Sequence, residues 1–154
     1  MSVCGIVLAA GAGTRFGGPK ALARDAAGEP WVARAVRTLR SAGCDPVLVV
    51  LGAAADEAAA LVPPDAVAVR AERWGEGLSA SVRAGLAAAA SSGAGAALMV
   101  PVDVPELPAS ACRRLLRDAG ADVLRRAVYR GRPGHPVLIG RTHWAPVSAA
   151  VVGD

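Results

Sequence analysis

The 154 residues suit one domain of ordinary size, and 53% of them are hydrophobic, much of that alanine, so the core must be built from small and aliphatic side chains. A net charge of +4 with arginines spread singly, and only three Trp, one Tyr and one Phe, argues against a nucleic-acid surface and suits a small polyanionic substrate. Three scattered cysteines with no C-x-x-C spacing exclude a disulfide framework or a zinc ribbon.

Val3–Ala9 is a continuous apolar run ending in glycines, the pattern of a buried parallel strand. Pro30–Ala42 carries Val32, Ala35, Val36 and Leu39 at helical spacing and stops at Gly43. Pro46–Leu51 reads as a second buried strand, Asp56–Leu61 as a short helix and Ala66–Arg70 as a third strand. Leu78–Ala90 is the next helix, Ala96–Val100 the fourth strand, and Pro108–Ala119 a helix entered at a proline. Val123–Tyr129 and Pro136–Ile139, around Arg130-Gly131-Arg132-Pro133-Gly134, suggest a hairpin or strand pair. This alternation predicts an α/β fold, a Rossmann-like and mainly parallel sheet with helices on both faces. Ligands in such sheets bind beyond the carboxyl ends of the strands, so the loops after Ala9, Arg70 and Val100 should converge. Neither a basic leader nor an apolar run near the roughly 20 residues of a membrane span is present, and a cytoplasmic protein is expected.

The first loop runs Leu8-Ala9-Ala10-Gly11-Ala12-Gly13-Thr14-Arg15-Phe16-Gly17-Gly18-Pro19-Lys20. Glycines after a buried strand let backbone amides approach an anion, Arg15 offers a planar fork of donors, and Lys20 a compact charge. Lys20 is the single lysine among 17 basic residues, in a chain that writes arginine wherever a solvated charge suffices. The dinucleotide fingerprint fails because the third glycine falls late, at Gly17, and the phosphate-loop consensus fails because Pro19, not Lys, follows Gly18.

This loop resembles the nucleotidyltransferase signature L-A-[AG]-G-x-[GS]-x-R-[FM]-G-x-x-K of the MobA-like family, and is most similar to its molybdenum cofactor cytidylyltransferases. Ala10 is similar to the cytidylyl-transferring members, since guanylyl-transferring members usually carry glycine there. The resemblance implies that Leu8, Ala9, Ala10 and Gly11 line the base and ribose, and that Gly13, Arg15 and Lys20 hold the triphosphate. The stretch Arg73–Leu86, which contains Trp74, Gly77, Ser79 and Ser81, resembles the family's W-x-x-G-[LM]-[SA]-x-S segment. Ser79 reads equally as a helix cap or a ligand contact; Ser81, by resemblance, touches base or ribose. Gly85 should permit close packing of helix on sheet.

Asp103, in Val100-Pro101-Val102-Asp103-Val104-Pro105, stands where a turn-forming aspartate or a metal ligand could stand. Mg²⁺ in phosphoryl transfer is often held by one or two carboxylates plus substrate phosphates. The resemblance to the family's [GP]-D-x-P motif favours metal, with Val102 where glycine is commoner. Gly131-Arg132-Pro133-Gly134-His135-Pro136-Val137-Leu138 resembles G-x-x-G-H-P-V-L on the acceptor side, where His135 contacts an acceptor phosphate or organises its loop. Val152-Gly153-Asp154 looks like the start of a further family segment. Residues 1–154 are therefore expected to form a single domain, shortened at its C-terminal end and without the family's second metal aspartate.

The implied reaction is attack by an acceptor phosphate on the α-phosphate of CTP, with Mg²⁺ bound at Asp103 and pyrophosphate leaving. Arg15 and Lys20 neutralise charge, and the acceptor is molybdopterin; neither nucleic acid nor membrane is a partner. The alternatives are another cytidylyl- or sugar-nucleotide transferase on the same scaffold, and a nucleotide-binding protein without catalysis.

Overall fold

A computed structural model describes residues 1–153. The apolar run at the start forms β1 (Val3–Ala9), buried at every position. Such a strand needs cover on both faces, because successive side chains point opposite ways. The remaining strands are β2 (Val47–Leu51), β3 (Val67–Arg70), β4 (Ala96–Pro101), β5 (Leu124–Tyr129) and β6 (Arg132–Gly140). They form one sheet in the order β3-β2-β1-β4-β6-β5. The first four run parallel, and β6 joins β4 antiparallel with β5 completing the edge. The sheet is thus mainly parallel, with the last two sequence runs as an antiparallel hairpin turned at Arg130 and Gly131, both at positive φ.

One face packs Val7, Val49, Leu98, Val100 and Leu138 under Val32, Val36 and Leu39 of helix α1 (Trp31–Ser41) and Cys112 of α4 (Ala109–Leu115). The other packs Ile6, Leu8, Val50, Met99 and Ile139 under Val82, Leu86 and Ala89 of α3 (Leu78–Ala90) and Trp144 of α5 (Trp144–Ala150). The short α2 spans Ala55–Ala59. A Cβ on Gly85 would stand 3.0 Å from Ile6 Cγ2 and 3.3 Å from Val50 Cγ2, so its absence lets α3 lie close to the sheet. No helix among the described residues is long and apolar enough to cross a membrane.

Two helices depart from expectation. α4 stops at Leu115 rather than Ala119, with Asp118 at φ 53, outside the helical region. α5 carries Pro146 in its first turn, where a missing amide costs nothing. It is held by Trp144, whose indole Nε1 donates to the Ile139 carbonyl at 2.8 Å.

The chain leaves β1 toward β2 on one side and returns through β4 on the other, so the strand order reverses at β1. Leu8 pairs with Pro101, which brings the carboxyl ends of β1 and β4 level. The loops that follow them open at this switch point.

Candidate functional site

Gly13 shapes the loop after β1. It sits at φ 62, and a Cβ there would overlap the Gly18 carbonyl oxygen. Its own carbonyl accepts from the amides of Phe16, Gly17 and Gly18, each at 3.0 Å. Those three amides are turned inward, whereas the amides from Gly11 to Arg15 donate to no backbone carbonyl among the described residues. The amides left without a backbone acceptor are therefore those of the first half of the glycine loop, not all of it.

After Pro19 the chain makes a single 3₁₀ turn, Lys20–Leu22, with Ala21 buried. Lys20 Nζ donates to Asp103 Oδ2 at 2.6 Å. Asp103 arrives two residues past β4, and the Val102 amide, donating to the Leu8 carbonyl at 2.9 Å, fixes that exit against β1. With the two side chains 35% and 37% exposed, the pair contributes at most about 1 kcal/mol. A ligand that offers either group a better partner can exchange it.

The opposite wall is a second 3₁₀ turn, Trp74–Glu76, followed by Gly77 at φ 105 and the start of α3. Together the walls enclose a cleft of about 560 Å³, within the range of small-molecule sites. Leu8, Ala9, Ala10, Gly11, Gly13, Lys20, Ser81 and Asp103 all line it. Ser81 is buried with its residue facing this space.

Three expected residues stand elsewhere. Arg15 is exposed at the outer tip of the loop and does not line the cleft. Ser79 is buried but is tied to the chain terminus: its amide donates to the Gly153 carbonyl at 2.8 Å, and Arg83 donates to its hydroxyl at 3.4 Å while holding the Val151 carbonyl at 2.8 Å. It makes no side-chain cap on α3. His135 lies on β6, half-buried, outside the cleft but within electrostatic reach of Asp103. Burial, reinforced by the Arg126 guanidinium and opposed by Asp103, lowers the imidazole pKa below its usual value.

Arg126 and Trp74 carry no role in the sequence reading. Arg126 sits on β5 beside Arg125, and strand alternation sends the two to opposite faces. Arg125 turns toward the carbonyls of Leu115 and Arg117, while Arg126 donates to the Gly134 carbonyl at 3.0 Å next to His135. Two adjacent arginines give no sign of which one stands beside His135. Trp74 belongs to the Arg73–Leu86 stretch, where the scarcity of aromatics in this chain marks it.

The chemistry open to this arrangement is anion binding and charge neutralisation. Asp103 is the only carboxylate among the cleft residues, and no group of three or more His, Cys, Asp or Glu capable of holding a metal occurs among the described residues. One open carboxylate fits a hard divalent cation that shares its remaining positions with substrate phosphates and water. Nucleophilic cysteine chemistry is excluded: all three thiols are buried, and burial pushes Cys4 up to about 11 and Cys44 to about 12.

Residues 5–154 match the MobA-like NTP transferase domain. The chain is 36% identical to nicotine blue oxidoreductase of Paenarthrobacter nicotinovorans, across 99% of its own length and 78% of that protein's. Among solved structures it is similar to Rv0371c of Mycobacterium tuberculosis H37Rv, with 27% identity, TM-score 0.81, and coverage of 100% of this chain and 79% of the other. A nucleotidyl transferase from Methanothermobacter superposes equally well, with TM-score 0.81, 25% identity, and coverage of 99% and 78%.

Proposed function

Because the chain belongs to the MobA-like NTP transferase domain family, we propose that it transfers CMP from CTP to a phosphate-bearing acceptor, with molybdopterin as the acceptor to test first. The observation that carries this reading is the meeting of Lys20 and Asp103 at 2.6 Å in a cleft floored by Leu8–Gly11. A cation donor for phosphate and a carboxylate for a hard metal, side by side beyond a parallel sheet, are what nucleotidyl transfer needs.

The base and ribose lie against Leu8–Gly11, with the Ser81 hydroxyl as a partner for the base edge. The amides of the loop's first half and Lys20 hold the triphosphate, and Arg15 folds in from the loop tip to join them. Lys20 exchanges Asp103 for phosphate oxygens as the nucleotide enters. Asp103 is then free to ligate Mg²⁺, which when bound neutralises charge on the phosphates. An oxygen of the ionised acceptor phosphate attacks the α-phosphorus. The bond from that phosphorus to the bridging oxygen breaks, and its electron pair leaves with pyrophosphate. No general base is required, because the nucleophile carries no proton at the attacking oxygen. His135 and Arg126 face the acceptor phosphate and hold it in line.

Incubation of the protein with CTP, Mg²⁺ and molybdopterin tests the reading: pyrophosphate release that depends on the acceptor supports it. Release with a different phosphate acceptor moves the assignment to another cytidylyl- or sugar-nucleotide transferase. A second reading rests on the 36% identity to a protein named nicotine blue oxidoreductase. In that case the reaction is an oxidoreduction rather than a nucleotidyl transfer. Absence of pyrophosphate release with CTP, Mg²⁺ and every phosphate acceptor tried would favour it.

A further inference from the structure

Trp74 is the only aromatic residue lining the cleft among the described residues. The other aromatics are engaged elsewhere. Trp144 is buried with its indole bonded to Ile139, Phe16 stacks near Trp31 at the loop tip, and the Tyr129 hydroxyl donates to the His135 carbonyl. Trp74 remains 37% exposed, so the indole has open surface.

Its placement is built into the backbone. The Trp74 amide donates to the Ala71 carbonyl at 3.1 Å, and the Ala71 amide to the Leu51 carbonyl at 2.8 Å, which ties the turn to the end of β2. The side chain then lies directly on Gly52. A Cβ at Gly52 would overlap Trp74 Cβ, stand 2.5 Å from Trp74 Cγ and reach 2.8 Å from the Ala10 carbonyl oxygen. Gly52 is thus the spacer between the indole and Ala10, on the part of the loop that floors the cleft. Gly75 and Gly77, also lining the cleft, add no side chain between the ring and the space beside Ser81.

We propose that Trp74, seated by Gly52, is the stacking platform for the nucleobase. This rests on the nucleotidyl reading and adds a division of labour to it. Every base presents a π-face, so stacking on an indole raises affinity for all nucleotides alike. Ser81, with a directional hydroxyl, discriminates between them. Trp74 therefore sets how tightly a nucleotide is held, and Ser81 sets which one.

The test is calorimetric titration of the full chain with CTP, GTP and inorganic tripolyphosphate, each with Mg²⁺, in wild type, Trp74→Phe, Trp74→Leu and Gly52→Ala. Trp74→Leu should lower affinity for CTP and GTP together by roughly tenfold or more, keep their ratio, and leave tripolyphosphate unchanged. Trp74→Phe should keep most of the affinity. Gly52→Ala should reproduce the selective loss, with tripolyphosphate affinity retained as the sign that the chain still folds; wild-type CTP affinity in that variant overturns the seating role. In a Trp31→Phe background, CTP but not tripolyphosphate should quench the emission that Trp74 contributes. Wild-type CTP affinity in Trp74→Leu, or equal loss of all three ligands, overturns the platform. Failure of wild type to bind tripolyphosphate and CTP at all overturns the nucleotidyl reading itself and the platform with it.

Discussion

Lys20 and Asp103, 83 residues apart in sequence, meet at 2.6 Å because β1 and β4 lie side by side and end level. The lysine comes from the loop after one strand and the carboxylate from the loop after the other. In the proposed mechanism each gives up the other for a phosphate oxygen or a metal ion. The pair holds the cleft's two charges in place before ligand arrives, and its modest strength makes exchange easy.

Lys20→Ala should weaken CTP binding by roughly tenfold or more, since a charge-assisted hydrogen bond contributes about 1.5–3 kcal/mol. Arg15→Ala should weaken it less, because Arg15 is exposed at the loop tip and must fold in to reach the triphosphate. Calorimetric titration with CTP checks both. Unchanged affinity in the two variants would remove the phosphate role from this loop.

CTP should bind more tightly than GTP, and Ser81→Ala should narrow the difference. Ser81 is buried and lines the cleft, so a base edge deprived of its hydroxyl loses a partner that water replaces poorly, at about 1–3 kcal/mol. Competition titrations of the two nucleotides measure this. Equal affinity for CTP and GTP in wild type would contradict it.

His135 should make the fold sensitive to mild acid. Burial and Arg126 lower its pKa in the folded chain below the ordinary value of 6.5. Above that value the imidazole is neutral in both states and the full stability is present. As pH falls below 6.5, the unfolded chain takes up the proton first, and stability declines until the folded-state pKa is passed. His135→Gln should flatten this part of the stability profile in chemical denaturation between pH 7 and pH 5. A profile as steep as wild type's would assign the decline to other groups.

The parallel half of the sheet was legible because buried strands leave unbroken apolar runs. Val3–Ala9 was read to the residue, and Gly85 was read as a packing contact. The cleft was legible because glycines and charges follow strand ends, where a parallel sheet collects its ligands. What sequence does not carry is the direction of a side chain in an irregular segment. Arg15 follows Thr14, which lines the cleft, yet it stands outside, because the Gly13 carbonyl gathers the amides of Phe16, Gly17 and Gly18 and curls the loop. Ser79 and Ser81 are both buried on one helix, but the terminal segment claims the first and the cleft the second. α5 escaped because Trp144–Ala150 is short, has no side-chain cap and carries Pro146, although Trp144 and Val147 both pack on the sheet.

Asp103 is the centre of the proposed mechanism. Replacing the carboxylate by an amide keeps the shape and removes the charge that a hard cation requires. The measurement is the rate of pyrophosphate release from saturating CTP with Mg²⁺ and acceptor, in wild type and Asp103→Asn, alongside the thermal midpoint of each. The predicted result is a fall of about a hundredfold or more in Asp103→Asn, with the midpoint little changed because the Lys20 pair contributes so little to folding. A variant that releases pyrophosphate as fast as wild type would contradict the assignment of Asp103 as metal ligand and take the proposed mechanism with it.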